Sequence, residues 1–139
     1  RDFAHAPSKV KATVQAGKQQ FPKRKLYGIL ELHTYSSLNV NFMNEYKGAL
    51  DDLDASVVFY AKHALEIKKM PELPVQKVME GFDKPGLIVM NDKYELEKWL
   101  LTIPNHDANI LFMSSGNYDG LNINSLAKAI IHHHPEGSQ

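Results

Sequence analysis

The chain has 139 residues, 43% hydrophobic and 23% charged, the proportions of one folded domain and not of a disordered chain. Sixteen Lys and Arg balance sixteen Asp and Glu, so the net charge is zero, which argues against nucleic acid or an anionic membrane as the main partner. Cysteine is absent, which excludes disulfides, thiolate catalysis and Cys-type zinc sites.

Taken in order, Pro7-Ser8 followed by Val10, Val14 and Gly17 predicts a capped helix of about three turns, closed by Pro22. Lys25 to Leu32 has the near-continuous apolar run of a strand buried on both faces. Asn39 to Leu50 carries Val40, Phe42, Met43, Tyr46, Ala49 and Leu50, a helical stripe. Ser56 to Tyr60 reads as a second strand, and Ala61 to Leu73 as irregular. Pro74 to Glu80 predicts a short helix stopped by Gly81. Gly86 to Met90 is a third strand. Asp92 and Glu95 form a capping box for a helix through Leu96, Trp99, Leu100 and Ile103, ended by Pro104, with Trp99 in the core. Ala108 to Met113 is the fourth strand and Asn122 to Ile131 the last helix. Strands alternating with helices predict right-handed crossovers and an α/β, Rossmann-like, doubly wound sheet, mostly parallel, with helices on both faces.

Ligands of such sheets bind past the carboxyl ends of the strands. Two loops there are unusual: His33-Thr34-Tyr35-Ser36-Ser37 after the first strand, and Ser114-Ser115-Gly116-Asn117-Tyr118-Asp119-Gly120 after the last. In the second, glycines permit close backbone approach and free N–H groups would favour an anion, although turns of this composition are also common without any ligand. No Walker-type or G-x-G-x-x-G phosphate loop and no G-x-S-x-G elbow occurs. His5, His33, His63 and His106 lack zinc-binding spacing, and no metal site is expected. Asp51, Asp52 and Asp54 read as a solvated turn, and His132-His133-His134 as part of a tail over 132–139. The chain opens on Arg1 and has no Met before Met43, so a processed chain or an excised domain is expected.

Three segments resemble the C-terminal domain of the Mur ligases. Asp2-Phe3-Ala4-His5-Ala6-Pro7-Ser8 is similar to the family's D-[FY]-[AG]-H-H-P-[ST], and Leu26 to Ser36 to a strand and loop of the form V-F-E-P-H-T-Y-S-R. Met113 to Gly120 resembles the M-S-N-G-x-F-G-G run of the family's murein-peptide branch. The likeness covers residues 1–131. Ala6 stands in place of the second His, Leu32 in place of Pro, and Ser37 where the L-alanine branch carries Arg.

The resemblance implies a cytoplasmic, three-domain, ATP-dependent ligase of bacterial cell-wall recycling. It would join UDP-N-acetylmuramate to the tripeptide L-alanyl-γ-D-glutamyl-meso-diaminopimelate through an acyl phosphate. The alternatives are the sister enzyme that adds L-alanine, or a stand-alone anion- or nucleotide-binding module. ATP, Mg2+ and UDP would be held mainly by the central and N-terminal domains of the same parent, with neither nucleic acid nor membrane as partner. By the same resemblance Asp2 falls on the nucleotide side. His5, His33, Thr34, Tyr35, Ser36, Ser114, Ser115, Gly116 and Asn117 would meet the substrate, and the isolated domain would be inactive.

Overall fold

The structure is a computed structural model and describes residues 6–103, 107–114 and 116–121. The expected helix over Asn122–Ile131, the tail, Pro104 and the candidates Asp2, His5 and Ser115 lie outside the described residues. Helix α1 spans Pro7–Gln20, with Pro7 in the first turn, where its missing N–H costs nothing. Its cap is the backbone of Ala6 and no side-chain cap forms, a correction to the capped start expected from Ser8. Val10 and Val14, one turn apart, are its buried residues.

Strands β1 (Lys25–Glu31), β2 (Ala55–Phe59), β3 (Ile88–Met90) and β4 (Ala108–Met113) form one sheet in the order β3-β2-β1-β4, and every pairing is parallel. The doubly wound α/β expectation therefore holds. Ile29, Leu30, Val57, Val58 and Phe59 at its centre have no exposed surface. Burying each such side chain contributes about 1.5–3 kcal/mol. Both faces are covered: Gly17 of α1 and Leu53 lie against the face of Leu26, Gly28 and Leu111. On the opposite face the Tyr118 ring meets Phe59 and Phe112 at centroid distances of 6.3 and 5.9 Å.

Three segments of the crossovers depart from expectation. The Asn39–Leu50 stripe is not an α-helix but a 3-10 helix over Val40–Tyr46 followed by turns. Buried Met43, Tyr46 and Ala49 recur every three residues, the period of a 3-10 helix, and Gly48 takes a left-handed φ of 85° in the turns that follow the helix. The stretch read as irregular contains α2 (Lys62–Ile67), too short to show a period. Helix α3 (Val75–Phe82) runs through Gly81 and ends at Asp83 in the left-handed conformation, φ 49°. Gly81 is a packing residue rather than a stop: a Cβ there would lie 2.4 Å from Met43 Cβ and 2.6 Å from its backbone carbon. Helix α4 (Lys93–Leu101) begins as expected at Asp92, whose carboxylate accepts the Tyr94 N–H at 2.9 Å. Trp99 is half-buried at the rim of the core rather than inside it.

Candidate functional site

The strand order runs outward from β1 through β2 to β3 and then returns to β4 on the other side of β1. The switch point therefore lies between β1 and β4, and the chains leaving their carboxyl ends are the two loops singled out by composition. Lys25↔Ala108 through Leu30↔Met113 pair in register, so Glu31 and Ser114 leave the sheet side by side.

Glu31 is the centre of the arrangement. It is a carboxylate with 1% of its surface exposed, at the end of an apolar strand. Its Oε1 accepts a hydrogen bond from the Ser114 hydroxyl and another, at 3.0 Å, from the Tyr118 N–H. Its Oε2 lies 4.0 Å from Nδ1 of His33. The second loop closes over this pair at Gly116, whose N–H donates to Ser114 Oγ at 2.7 Å. A Cβ on residue 116 would lie 2.8 Å from Glu31 Oε1 and 2.8 and 2.9 Å from Cγ and Nδ1 of His33, so only glycine lets the loop lie against both.

Tyr118 secures the far side. Its phenol donates to the carbonyls of Ile29 and Met113, both at 3.1 Å. Burial first, and the charge of Glu31 second, push the phenol far above its ordinary range, so it remains a neutral donor. Tyr118 and Asp119 both have left-handed backbones, with φ of 54° and 57°, which costs about 1–3 kcal/mol each. The bonds to Glu31, Ile29 and Met113 hold that turn in place.

The first loop divides its residues by role. The Ser37 hydroxyl, fully buried, accepts the N–H groups of His33 and Thr34 at 3.0 Å each, and Ser37 N–H donates to Thr34 Oγ1 at 3.1 Å. Thr34 is thus buried and committed to its own turn, whereas Tyr35 and Ser36 are exposed. His33, with 36% of its side chain exposed, is the loop residue brought against Gly116 and Glu31. In the second loop Asn117 is exposed and Ser114 is spent on Glu31.

The anion expectation for this loop meets a physical obstacle. The N–H groups of Gly116, Tyr118 and Gly120 already donate to Ser114 Oγ, Glu31 and the Asn117 carbonyl. The loop folds around an anion of its own, the carboxylate of Glu31.

Composition did not disclose Glu31 as a site residue, because one acid at the end of an apolar run reads as part of the strand. The signal was present in the motif V-F-E-P-H-T-Y-S-R, whose Glu falls on Glu31. Nor did it disclose α2, which ties the two loops together. His63 Nδ1 lies 3.1 Å from Asp119 Oδ1, and the Lys68 ammonium sits 5.4 Å above the Tyr35 ring. Beside α2, a cleft of about 260 Å³ is lined in part by Tyr60, Lys62, Glu66, Met70, Glu72 and Asn91. Among the described residues no group of three or more His, Cys, Asp or Glu side chains could hold a metal ion. No Walker-type phosphate loop occurs in the sequence.

A parallel sheet with a buried acid and a half-exposed imidazole at its switch point belongs to the doubly wound α/β class, whose ligands bind at that point. No family model matches the chain. It is 25% identical over 117 residues to the UDP-N-acetylmuramate–L-alanine ligase of Lactococcus lactis subsp. cremoris MG1363, covering 84% of this chain and 25% of that protein. A murein peptide ligase of Psychrobacter arcticus superposes with a TM-score of 0.67 at 15% identity, over 90% of this chain and 25% of that one. A domain assigned to a UDP-N-acetylmuramate:L-alanyl-γ-D-glutamyl-meso-diaminopimelate ligase of Haemophilus ducreyi superposes with a TM-score of 0.63 at 19% identity. That match covers 89% of this chain and 83% of the domain. The chain has the fold of a Mur ligase C-terminal domain, and its sequence likeness runs to Mur ligases. It spans about a quarter of the length of the curated relative it matches.

Proposed function

We propose that the chain is the substrate-closing C-terminal domain of an ATP-dependent amide ligase. The parent would join UDP-N-acetylmuramate to L-alanyl-γ-D-glutamyl-meso-diaminopimelate through an acyl phosphate on the muramate carboxyl. The observation that carries this reading is the meeting of the two motif-bearing loops at the switch point, with His33 against Gly116 over the buried Glu31. ATP, Mg2+ and the UDP moiety belong, on this reading, to the central and N-terminal domains of the same parent. Closure of this domain over the central one would keep water from a hydrolysable intermediate. The isolated chain is then expected to show no ATP hydrolysis.

Two features support the tripeptide as acceptor. Position 37, where the L-alanine motif has Arg, holds a fully buried Ser bonded inside its turn, so this loop offers no guanidinium fork to a small amino acid's carboxylate. The cleft beside α2 adds the mixed charges of Lys62, Glu66 and Glu72, which suit a zwitterionic peptide end. L-alanine is the second reading, favoured by the likeness to the Lactococcus enzyme. ADP release by the full-length parent, given UDP-N-acetylmuramate and one acceptor at a time, separates the two. Turnover with the tripeptide alone supports the first reading, and turnover with L-alanine alone replaces it with the second.

A further inference from the structure

A carboxylate buried to 1% exposure must be compensated, and Glu31 accepts from one hydroxyl and one backbone N–H. Among the described residues the one ionisable nitrogen recorded near it is Nδ1 of His33, at 4.0 Å. The two are held in that relation by glycine, since any side chain at position 116 would collide with the carboxylate and the ring together. The ring is partly open to solvent while the acid is not. The other charged groups of the site are already engaged. Asp119 faces His63, Lys93 donates to the Asp119 carbonyl at 3.2 Å, and Lys68 lies over Tyr35. A partly exposed imidazole whose Nδ1 lies 4.0 Å from a buried carboxylate needs only a small tightening to become a base oriented by a third group.

We propose that His33 is the proton acceptor for the incoming ammonium of the acceptor, and that Glu31 is the positioning residue that aims its ring and balances the imidazolium. This rests on the ligase reading above. The acceptor arrives as R–NH3+. His33 takes one proton and becomes imidazolium, leaving R–NH2. The nitrogen lone pair forms the C–N bond at the acyl carbon, and the C–O bond to phosphate breaks with its electron pair leaving on phosphate. The second nitrogen proton goes to that phosphate, giving the amide and hydrogen phosphate, and the imidazolium returns its proton to water. No redox partner is required.

The test uses the full-length parent with UDP-N-acetylmuramate and ATP, comparing its natural acceptor with hydroxylamine, which is largely unprotonated near neutral pH and needs no base. Glu31→Gln keeps the shape of the side chain, and His33→Gln alters a half-exposed one, so folding is checked by melting temperature in both. The expected result is a fall in kcat of about 10²-fold or more for His33→Gln, and a smaller fall for Glu31→Gln. In both, the KM for the acceptor should stay within a few-fold and hydroxamate formation should stay near wild type. Equal loss of amide and hydroxamate formation would make the pair structural and overturn the proposal, as would full amide formation in either variant. A wild-type parent that releases no ADP with either acceptor sinks the ligase reading, and this proposal with it.

Discussion

Gly81 and Gly116 are both positions of close approach, and they face different neighbours. Gly81, in the last turn of α3, lies against the Cβ and backbone of Met43 in the 3-10 crossover. Gly116 lies against the ends of two polar side chains, Glu31 and His33. In the first case the neighbour is part of the packed interior and has nowhere to go. In the second it includes a ring with 36% of its side chain exposed, which leaves solvent as a direction in which it can yield. A bare Cα thus serves stability at one place and the geometry of a site at the other.

Alanine at each position tests that division. Gly81→Ala is expected to have the largest effect on folding. The new methyl must displace backbone, at a typical overpacking cost of about 1–3 kcal/mol or more. The helix propensity gained, about 1 kcal/mol, offsets only part of that. Urea unfolding of the chain should show a loss of about 2 kcal/mol, and an unchanged or raised midpoint would mean that α3 and the 3-10 segment can separate at no cost. Gly116→Ala should cost about 1 kcal/mol or less, because the His33 ring yields first. In the parent, however, ADP release coupled to amide formation should fall at least about tenfold, the scale on which small misplacements of a reacting group act. Loss of stability at residue 116 with activity intact would reverse the comparison.

The same contrast explains what could be read from the amino acids alone. The ranges expected for β1, β2 and β4 agree with the structure to within a residue, because Leu26–Leu30, Ser56–Phe59 and Ala108–Met113 are β-rich runs bounded by polar turns. The two loops of the site were legible for the same reason, as polar interruptions after such runs. The 3-10 crossover was not, since Met43, Tyr46 and Ala49 satisfy a period of 3.0 as well as one of 3.6. Gly81 read as a stop because sequence shows a missing side chain but not the Met43 backbone that requires it. Glu31 and Ser37 owe their roles to burial and to partners distant in sequence or hidden inside a turn. His33, singled out by its loop, gained a defined neighbour only when β1 and β4 were seen to be paired.

A finer comparison sets Glu31 against Asp54, since each carboxylate ties down one end of β1. Asp54 Oδ2 accepts the Leu26 N–H at 2.7 Å and the Lys18 ammonium at 3.0 Å, with 29% of its side chain exposed. Partial burial pushes its pKa up, but the Leu26 and Lys18 bonds and the charges of Lys18 and Lys25 outweigh this, and the carboxyl sits below its ordinary range. A depressed native pKa contributes stability that is present above the unfolded value, about 3.9, and is lost as pH falls through the folded one. Asp54→Asn keeps an oxygen for Leu26 and removes only the charge. The expected cost at pH 7 is therefore below about 1 kcal/mol, the scale of a solvent-screened pair. The gap in unfolding free energy between wild type and variant should be constant from pH 7 to pH 5 and should close below about pH 4. It should also narrow in high salt at pH 7, where Lys18 is screened and the Leu26 bond is not. A gap that persists unchanged to pH 3 would show that shape rather than charge fastens this end of the strand, and would remove the electrostatic half of the contrast with Glu31.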